Sequence, residues 1–336
     1  MRMIHVVAAV LKDDAGRVLV SQRPPAKSLS GAWEFPGGKM QPDESREDAL
    51  ARELEEELGV QVEAARPLIR YRCRYPDLEV DLDAWHVSRW AGKPEGLEGQ
   101  AIDWRESKHL LASGLLPADA AIVDAIGLPS LVAVTPPMAI HGEAALLDRV
   151  EIAAEALTSF SLQAAPGGLI VLRLPGLAAE ELLKLAAGAA CRLEGTPVRL
   201  MLHGGAELVD SLQGVPANLQ SRLMEVVAGL HIPARFLKRF RFWQVPGEFL
   251  LGASCHDEFE LRQAAMLDAD YAFLGPLKPT SSHPGQPGLG WEKFALLIKH
   301  LPLPVYAIGG VGPDDLETAW AAGAQGVAGI SAFWPK

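Results

Sequence analysis

The sequence predicts an α/β chain in two parts, a mixed sheet with two helices over residues 1–128 and a (β/α)8 barrel over residues 129–336. Three observations predict this. Short β-rich runs before Gly127 are interrupted by two stretches of helical periodicity. The turn signal Gly127-Leu128-Pro129-Ser130 then breaks the pattern, and beyond it eight apolar runs recur between helical ones. A length of 336 residues exceeds one typical domain and leaves material for two cores.

From Ile4 to Val20 two apolar runs flank Asp13-Asp14-Ala15-Gly16, which reads as a hairpin, and Trp33-Glu34-Phe35-Pro36-Gly37-Gly38 reads as a loop. Ser45 to Leu58 carries Leu50, Leu54 and Leu58 on one helical stripe, with Ser45 and Asp48 spaced as a helix start and Gly59 as its stop. Strands follow around 68–75 and 80–90, and residues 117–126 close this half as a helix. In the second half, strands are predicted at 131–135, 169–174, 198–202, 229–232, 249–254, 271–274, 305–308 and 326–330. Helices are predicted at 143–157, 179–193, 257–267, 291–301 and 314–322, while 204–241 is weakly patterned. Parallel strands with crossover helices satisfy this alternation, and the strand count favours a closed barrel over an open sheet.

Hydrophobic residues make up 49% and charged residues 22%, which excludes disorder and a disulfide scaffold. The net charge is −11, and 16 basic against 22 acidic residues precede Pro129, with 15 against 20 from there on. Neither half is basic, so duplex nucleic acid is excluded as a partner and any nucleic-acid ligand is small. Cys73, Cys191 and Cys255 lie far apart, offer no zinc or disulfide motif and read as thiols of a reducing compartment. The apolar run Ile4 to Leu11 is too short to span a membrane and passes into a turn, so a cytoplasmic protein with no membrane partner is expected.

Between Gly38 and Val60 stand Gly38, Glu44, Arg52, Glu53, Leu54, Glu56, Glu57, Gly59 and Val60 in the pattern Gly-x5-Glu-x7-Arg-Glu-Leu-x-Glu-Glu-x-Gly-Val. On a helix, Glu53, Glu56 and Glu57 fall on one arc beside the leucine stripe, so three carboxylates converge. Like charges at this spacing cost about 0.2–0.5 kcal/mol per pair, which invites a cation, and magnesium suits an all-oxygen set. A solvated acidic helix face is the alternative, against which the preceding Gly-Gly loop can bring a backbone carbonyl to the same ion.

All nine positions match the Nudix box, and over residues 3–126 the chain resembles the bacterial 8-oxo-dGTP diphosphatases. Gln22-Arg23, residues 33–39, Glu95 to Gln100 and Leu116 to Asp119 are similar to that group's nucleotide, metal and base segments. The resemblance implies an α/β/α sandwich and a nucleotide substrate cleaved to the monophosphate and pyrophosphate. It implies metal ligation, by Mg2+ with Mn2+ as the alternative, from the Gly37 carbonyl, Glu53, Glu56, Glu57 and Glu98. Arg23, Glu34, Phe35, Pro36 and Gly37 would hold the nucleotide and Asp119 would face the base, where the group has asparagine. Glu53 or Glu98 could take the proton from the attacking water, and Arg52 would orient Glu53.

The second half resembles thiamine-phosphate synthase and the thiazole tautomerase, both TIM barrels, through Ala269 to Tyr271, Leu274 to Pro276, Gly285 to Gly290, Ala307 to Val311 and Ile330 to Ala332. Gly309, Gly310, Ile330 and Ser331 follow the last two predicted strands, where barrel loops bind phosphate; tight turns are the alternative. The departures are chemical. The synthase's Asn-Asp pair reads His203-Gly204, its second metal aspartate falls near Phe236, its Arg-x-Lys reads Arg173-Leu174-Pro175, its later lysine reads His283, and the tautomerase's catalytic histidine reads Pro276. His231 and His256 near strand ends read as packed or hydrogen-bonded side chains. The expectation is an 8-oxo-dGTP diphosphatase fused to a barrel that binds a phosphorylated, thiamine-related ligand without turning it over. Two rivals stand beside it: hydrolysis of another nucleotide or a thiamine-related pyrophosphate, and a barrel that senses a ligand and regulates the hydrolase.

Overall fold

The computed structural model describes the chain except residues 1, 25–28, 137–141, 162–166, 216–222, 239–248, 281–284, 286 and 335–336, so His283 lies outside the described residues. Two compact units result, Met1–Leu128 with Lys299–Pro304, and Pro129–Ile298 with Val305–Lys336. Among the described residues no helix is long and apolar enough to cross a membrane.

The first unit contains β1 (Arg2–Leu11), β2 (Val18–Gln22), β3 (Trp33–Glu34), β4 (Gly37–Lys39), α1 (Arg46–Leu58), β5 (Gln61–Arg74), β6 (Leu78–Ala91), β7 (Ile102–Arg105) and α2 (Ala120–Gly127). A mixed sheet runs β4-β1-β6-β5, with β1 and β6 parallel and the other pairs antiparallel. The strands β3-β2-β7 form a second, antiparallel sheet. The hairpin expectation is therefore corrected. β1 and β2 enter different sheets, and beside the turn their backbones meet at the antiparallel bridge Lys12 to Val18 and the Asp13 N–H that donates to the Arg17 carbonyl. The segment read as a loop, Trp33 to Gly38, is corrected too, because it supplies β3 and starts β4.

Side chains alternate across a strand, so β1 serves two cores. Val7, Ala9 and Leu11 pack with Leu50, Leu54 and Leu58 of α1, whereas Ala8 and Val10 pack with Ile122 and Ala125 of α2. Helices on both faces of the sheet give the α/β/α sandwich. α1 starts where the Ser45 side chain accepts from the Asp48 N–H and ends at Gly59 in the left-handed conformation. Leu54 is fully buried, so Leu54→Ala is expected to cost about 2–5 kcal/mol of stability in denaturant unfolding, through lost transfer energy and an unfilled cavity.

The second unit is a closed parallel barrel of β8 (Leu131–Val134), β9 (Gly168–Leu172), β10 (Val198–His203), β11 (Val227–Ile232), β12 (Leu250–Cys255), β13 (Tyr271–Leu274), β14 (Val305–Ile308) and β15 (Gly326–Gly329). Between the strands lie α3 (Gly142–Ser161), α4 (Ala179–Leu193), α5 (Ala206–Gln213), α6 (Ala234–Leu237), α7 (Glu258–Met266), α8 (Gly290–Ile298) and α9 (Leu316–Ala321). Each strand pairs with its sequence neighbours and β15 closes onto β8. The weakly patterned region contributes β11, α5 and the single-turn α6.

Candidate active site and barrel cavity

β4 lays the Gly37-Gly38 backbone along β1, with Gly37 opposite Ala8, and α1 presents its acidic face beside it. The Glu53 carboxylate lies against Gly38, and at Gly37, whose φ is +145°, a Cβ would collide with the Val7 carbonyl, which is a physical reason for glycine there. Arg52 is the hub. Its Nε and Nη2 donate to Glu44 at 2.8 and 3.0 Å, its Nη1 to Glu53 at 2.9 Å and to Glu56 at 3.0 Å, and its Nη2 also to the Lys39 carbonyl at 3.1 Å. These hydrogen bonds hold Glu44 below the usual carboxylate range and raise the Arg52 pKa.

Glu57 faces another way. It is buried, and its Oε2 accepts from the Gly37 N–H at 3.0 Å. Glu98 is exposed on a loop tied back to α1, where the Leu97 N–H and the Gln100 side chain donate to the Glu57 carbonyl at 3.0 and 2.9 Å. The expected convergence of three carboxylates is thus corrected in detail. Glu53 and Glu56 meet on one nitrogen of Arg52, Glu57 is held by the glycine loop, and among the described residues no three acidic, histidine or cysteine side chains stand as a ready metal cage. The donor set nevertheless fits a hard divalent ion, being all carboxylate and carbonyl oxygen around a glycine cradle that only a Cβ-less residue leaves open.

Across the sheet, Arg23 pairs with Glu34 on β3, and buried Phe35 and Pro36 connect Glu34 to Gly37. Asp119 lies in a 3-10 turn before α2, where its N–H donates to the Leu116 carbonyl at 2.9 Å and the Tyr71 hydroxyl donates to the neighbouring Ala118 carbonyl. Asp119 is 5% exposed, and its Oδ2 has no hydrogen-bond partner. Burial, together with the negative Glu34, pushes its carboxyl up to about 8 against the opposing Phe35 N–H and Arg23 charge. Burial thus favours the neutral form of Asp119. Tyr71 is the residue that sequence reasoning missed here, and its place on β5 was legible only as strand periodicity.

The barrel encloses a cavity of about 580 Å³, and Gly309, Gly310, Ile330 and Ser331 all line it. Arg173, His203, His231, Arg235, Ser254 and His256 line it as well. His231 is buried, with Nδ1 3.1 Å from the Tyr271 hydroxyl and Nε2 2.8 Å from Ser254 Oγ, and burial drives its pKa far down. The expectation that His231 is a hydrogen-bonded core residue agrees with this geometry. His203 stacks on it at 5.5 Å, and burial with the Arg173 and Arg235 charges lowers its pKa to about 4. Arg235 and Ser254 were missed in the sequence, although polar residues at or just past the C-terminal end of a barrel strand are the general signal for a site.

Residues 1–125 match the NUDIX domain family, and residues 131–333 match the thiamine monophosphate synthase family. The chain is 39% identical over 125 residues to the CTP pyrophosphohydrolase of Escherichia coli, covering 37% of this chain and 92% of that protein. It is 34% identical over 122 residues to the 8-oxo-dGTP diphosphatase of Haemophilus influenzae, covering 36% of this chain and 90% of the relative. With a thiamine-phosphate synthase of Methylobacillus flagellatus it shares 42% identity over 86 residues, which is 25% of this chain and 41% of that enzyme. The matched stretch thus spans less than half the length of that synthase.

Proposed function

The chain belongs to the Nudix family through residues 1–125 and to the thiamine monophosphate synthase family through residues 131–333, and on that premise we propose that its first unit is a magnesium-dependent 8-oxo-dGTP diphosphatase. Water attacks a phosphorus of the triphosphate, the bridging P–O bond breaks, and 8-oxo-dGMP and pyrophosphate leave. A divalent ion, Mg2+ or alternatively Mn2+, supplies charge neutralisation of the phosphates and a more acidic coordinated water when bound. Glu53, Glu56, Glu57, Glu98 and the Gly37 carbonyl would hold it. Arg52 positions Glu53 while keeping Glu44 and Glu56 in place. Glu53 or Glu98 takes the proton of the attacking water, and Arg23 with residues 34–37 holds the nucleotide. The barrel, in this reading, binds a phosphorylated ligand without synthase turnover.

One observation carries the substrate: Asp119 is buried, holds one oxygen without a partner and stays neutral. A neutral carboxyl can donate to the purine O6 and accept from the N7–H that oxidation at C8 creates, as an amide would, whereas a carboxylate can only accept. A second reading, CTP, is favoured by the 39% identical relative, because cytosine offers an acceptor at N3 and a donor at N4 to the same acid. Pyrophosphate release with magnesium from 8-oxo-dGTP, dGTP and CTP, compared as kcat/KM, separates the two.

The kcat/KM for 8-oxo-dGTP is expected to fall as pH rises through about 8, where Asp119 ionises and loses the proton it would donate to O6. Asp119→Asn should keep its kcat/KM flat across that range and exceed the native value several-fold above it. The same fall with pH in this variant would place Asp119 outside the base pocket. The same proton is linked to stability. Because the folded pKa is raised, the stabilisation is fully present below the ordinary value of 3.8 and is lost as pH rises through about 8, so Asp119→Asn should melt higher than the native chain in mildly alkaline buffer.

A further inference from the structure

The magnesium that the synthase resemblance implies does not fit this barrel. Among the described residues no aspartate or glutamate lines the cavity, and the positions of the expected metal carboxylates hold His203-Gly204 and the region of Phe236. Cations stand there instead. Arg173 follows β9 and Arg235 follows β11, both line the cavity, and among the described residues neither guanidinium has a carboxylate partner. Between them, at the end of β10, stands the neutral ring of His203, whose Nδ1 has no hydrogen-bond partner. His203 stacks at 5.5 Å on His231, which Tyr271 and Ser254 fix in place.

The second pole of the cavity lies opposite by topology. In the closed order β8 to β15, β10 stands four strands from β14 and β11 four from β15, so each pair faces across the barrel. After β14 come Gly309 and Gly310, both at positive φ, +95° and +72°, and after β15 comes Ser331. Side chains at the two glycines would run into Pro276 and Lys278, so the bare backbone is required there. Among the described residues the Gly310 and Ser331 N–H groups donate to no carbonyl. Consecutive left-handed glycines with free N–H groups make a concavity for an anion.

We propose that the barrel cavity is a metal-independent site for a small organic molecule with an oxyanion at each end, one on Arg173, Arg235 and His203, the other on the Gly309-Gly310 backbone and Ser331. Guanidinium forks bind phosphate or carboxylate without a bridging ion, which is what a pole free of carboxylates permits. A cavity of about 580 Å³ matches a ligand of this size. The second oxyanion is a phosphate or a carboxylate, and the probes distinguish them.

The test is isothermal titration of the whole chain in excess EDTA with pentane-1,5-diyl bisphosphate, 5-(phosphonooxy)pentanoate and pentyl phosphate. At least one doubly anionic probe should bind about tenfold or more tighter than pentyl phosphate, and which one does so identifies the second group. Arg173→Ala and Arg235→Ala should each remove most of that advantage. Arg235 is exposed, so its variant keeps the test decisive if Arg173→Ala misfolds. Equal affinity for all three probes, no binding of any, tight binding only after magnesium is added, or an advantage that survives Arg235→Ala would each overturn the proposal. Nucleotide hydrolysis by the first unit is read separately and bears on none of these outcomes.

Discussion

Glu53→Gln is expected to lower magnesium-dependent pyrophosphate release by about 10²–10⁴-fold while leaving the fold intact. The glutamine amide is nearly isosteric, so it keeps the close packing on Gly38 that the carboxylate has now. Arg52 loses one charged acceptor and keeps Glu44, Glu56 and the Lys39 carbonyl. The leucine stripe of α1 is untouched and stays fully buried at Leu54 and Leu58. What disappears is the negative charge that would hold a divalent ion and the basicity that would receive a proton. Circular dichroism and the melting temperature should match the native chain, and hydrolysis near the native rate would remove Glu53 from the machinery.

The second large effect is an absence of product. Incubated with the pyrimidine diphosphate, the thiazole phosphate and magnesium, the whole chain is expected to form no detectable thiamine phosphate, and its gene should not rescue a bacterium lacking the synthase. Departure of pyrophosphate in the synthase reaction calls for a hard divalent ion, and among the described residues the cavity offers no carboxylate to anchor one. His203 cannot substitute, because a neutral imidazole of pKa about 4 neither neutralises diphosphate charge nor suits magnesium. Growth of the deficient strain on this gene would contradict the assignment.

The eight barrel strands were legible because strands buried on both faces read as unbroken apolar runs, as Leu131 to Val134 and Gly168 to Leu172 do. α1 was legible because its cap, stripe and stop are all local. The partner of β2 was not, since alternation specifies which face is buried and not which sheet a strand joins. β3 and β4, of two and three residues, are too short to show a period. In the site, the Nudix positions were readable by spacing, but the hub role of Arg52 depends on Glu44 arriving from a loop and the Lys39 carbonyl from β4. The neutral state of Asp119 depends on burial by Tyr71, Phe35 and α2, which no local pattern encodes.

Arg52 has a consequence for how such a hydrolase would meet scarcity of its ion. A guanidinium that already satisfies Glu44, Glu53 and Glu56 lets the acidic helix fold around an internal counter-charge, so persistence of the folded chain and speed of the reaction answer to different cations. On the proposed function, a shortage of divalent ions would then leave the molecule idle rather than unravelled. A later supply of the ion would then restart a standing population instead of waiting for new synthesis.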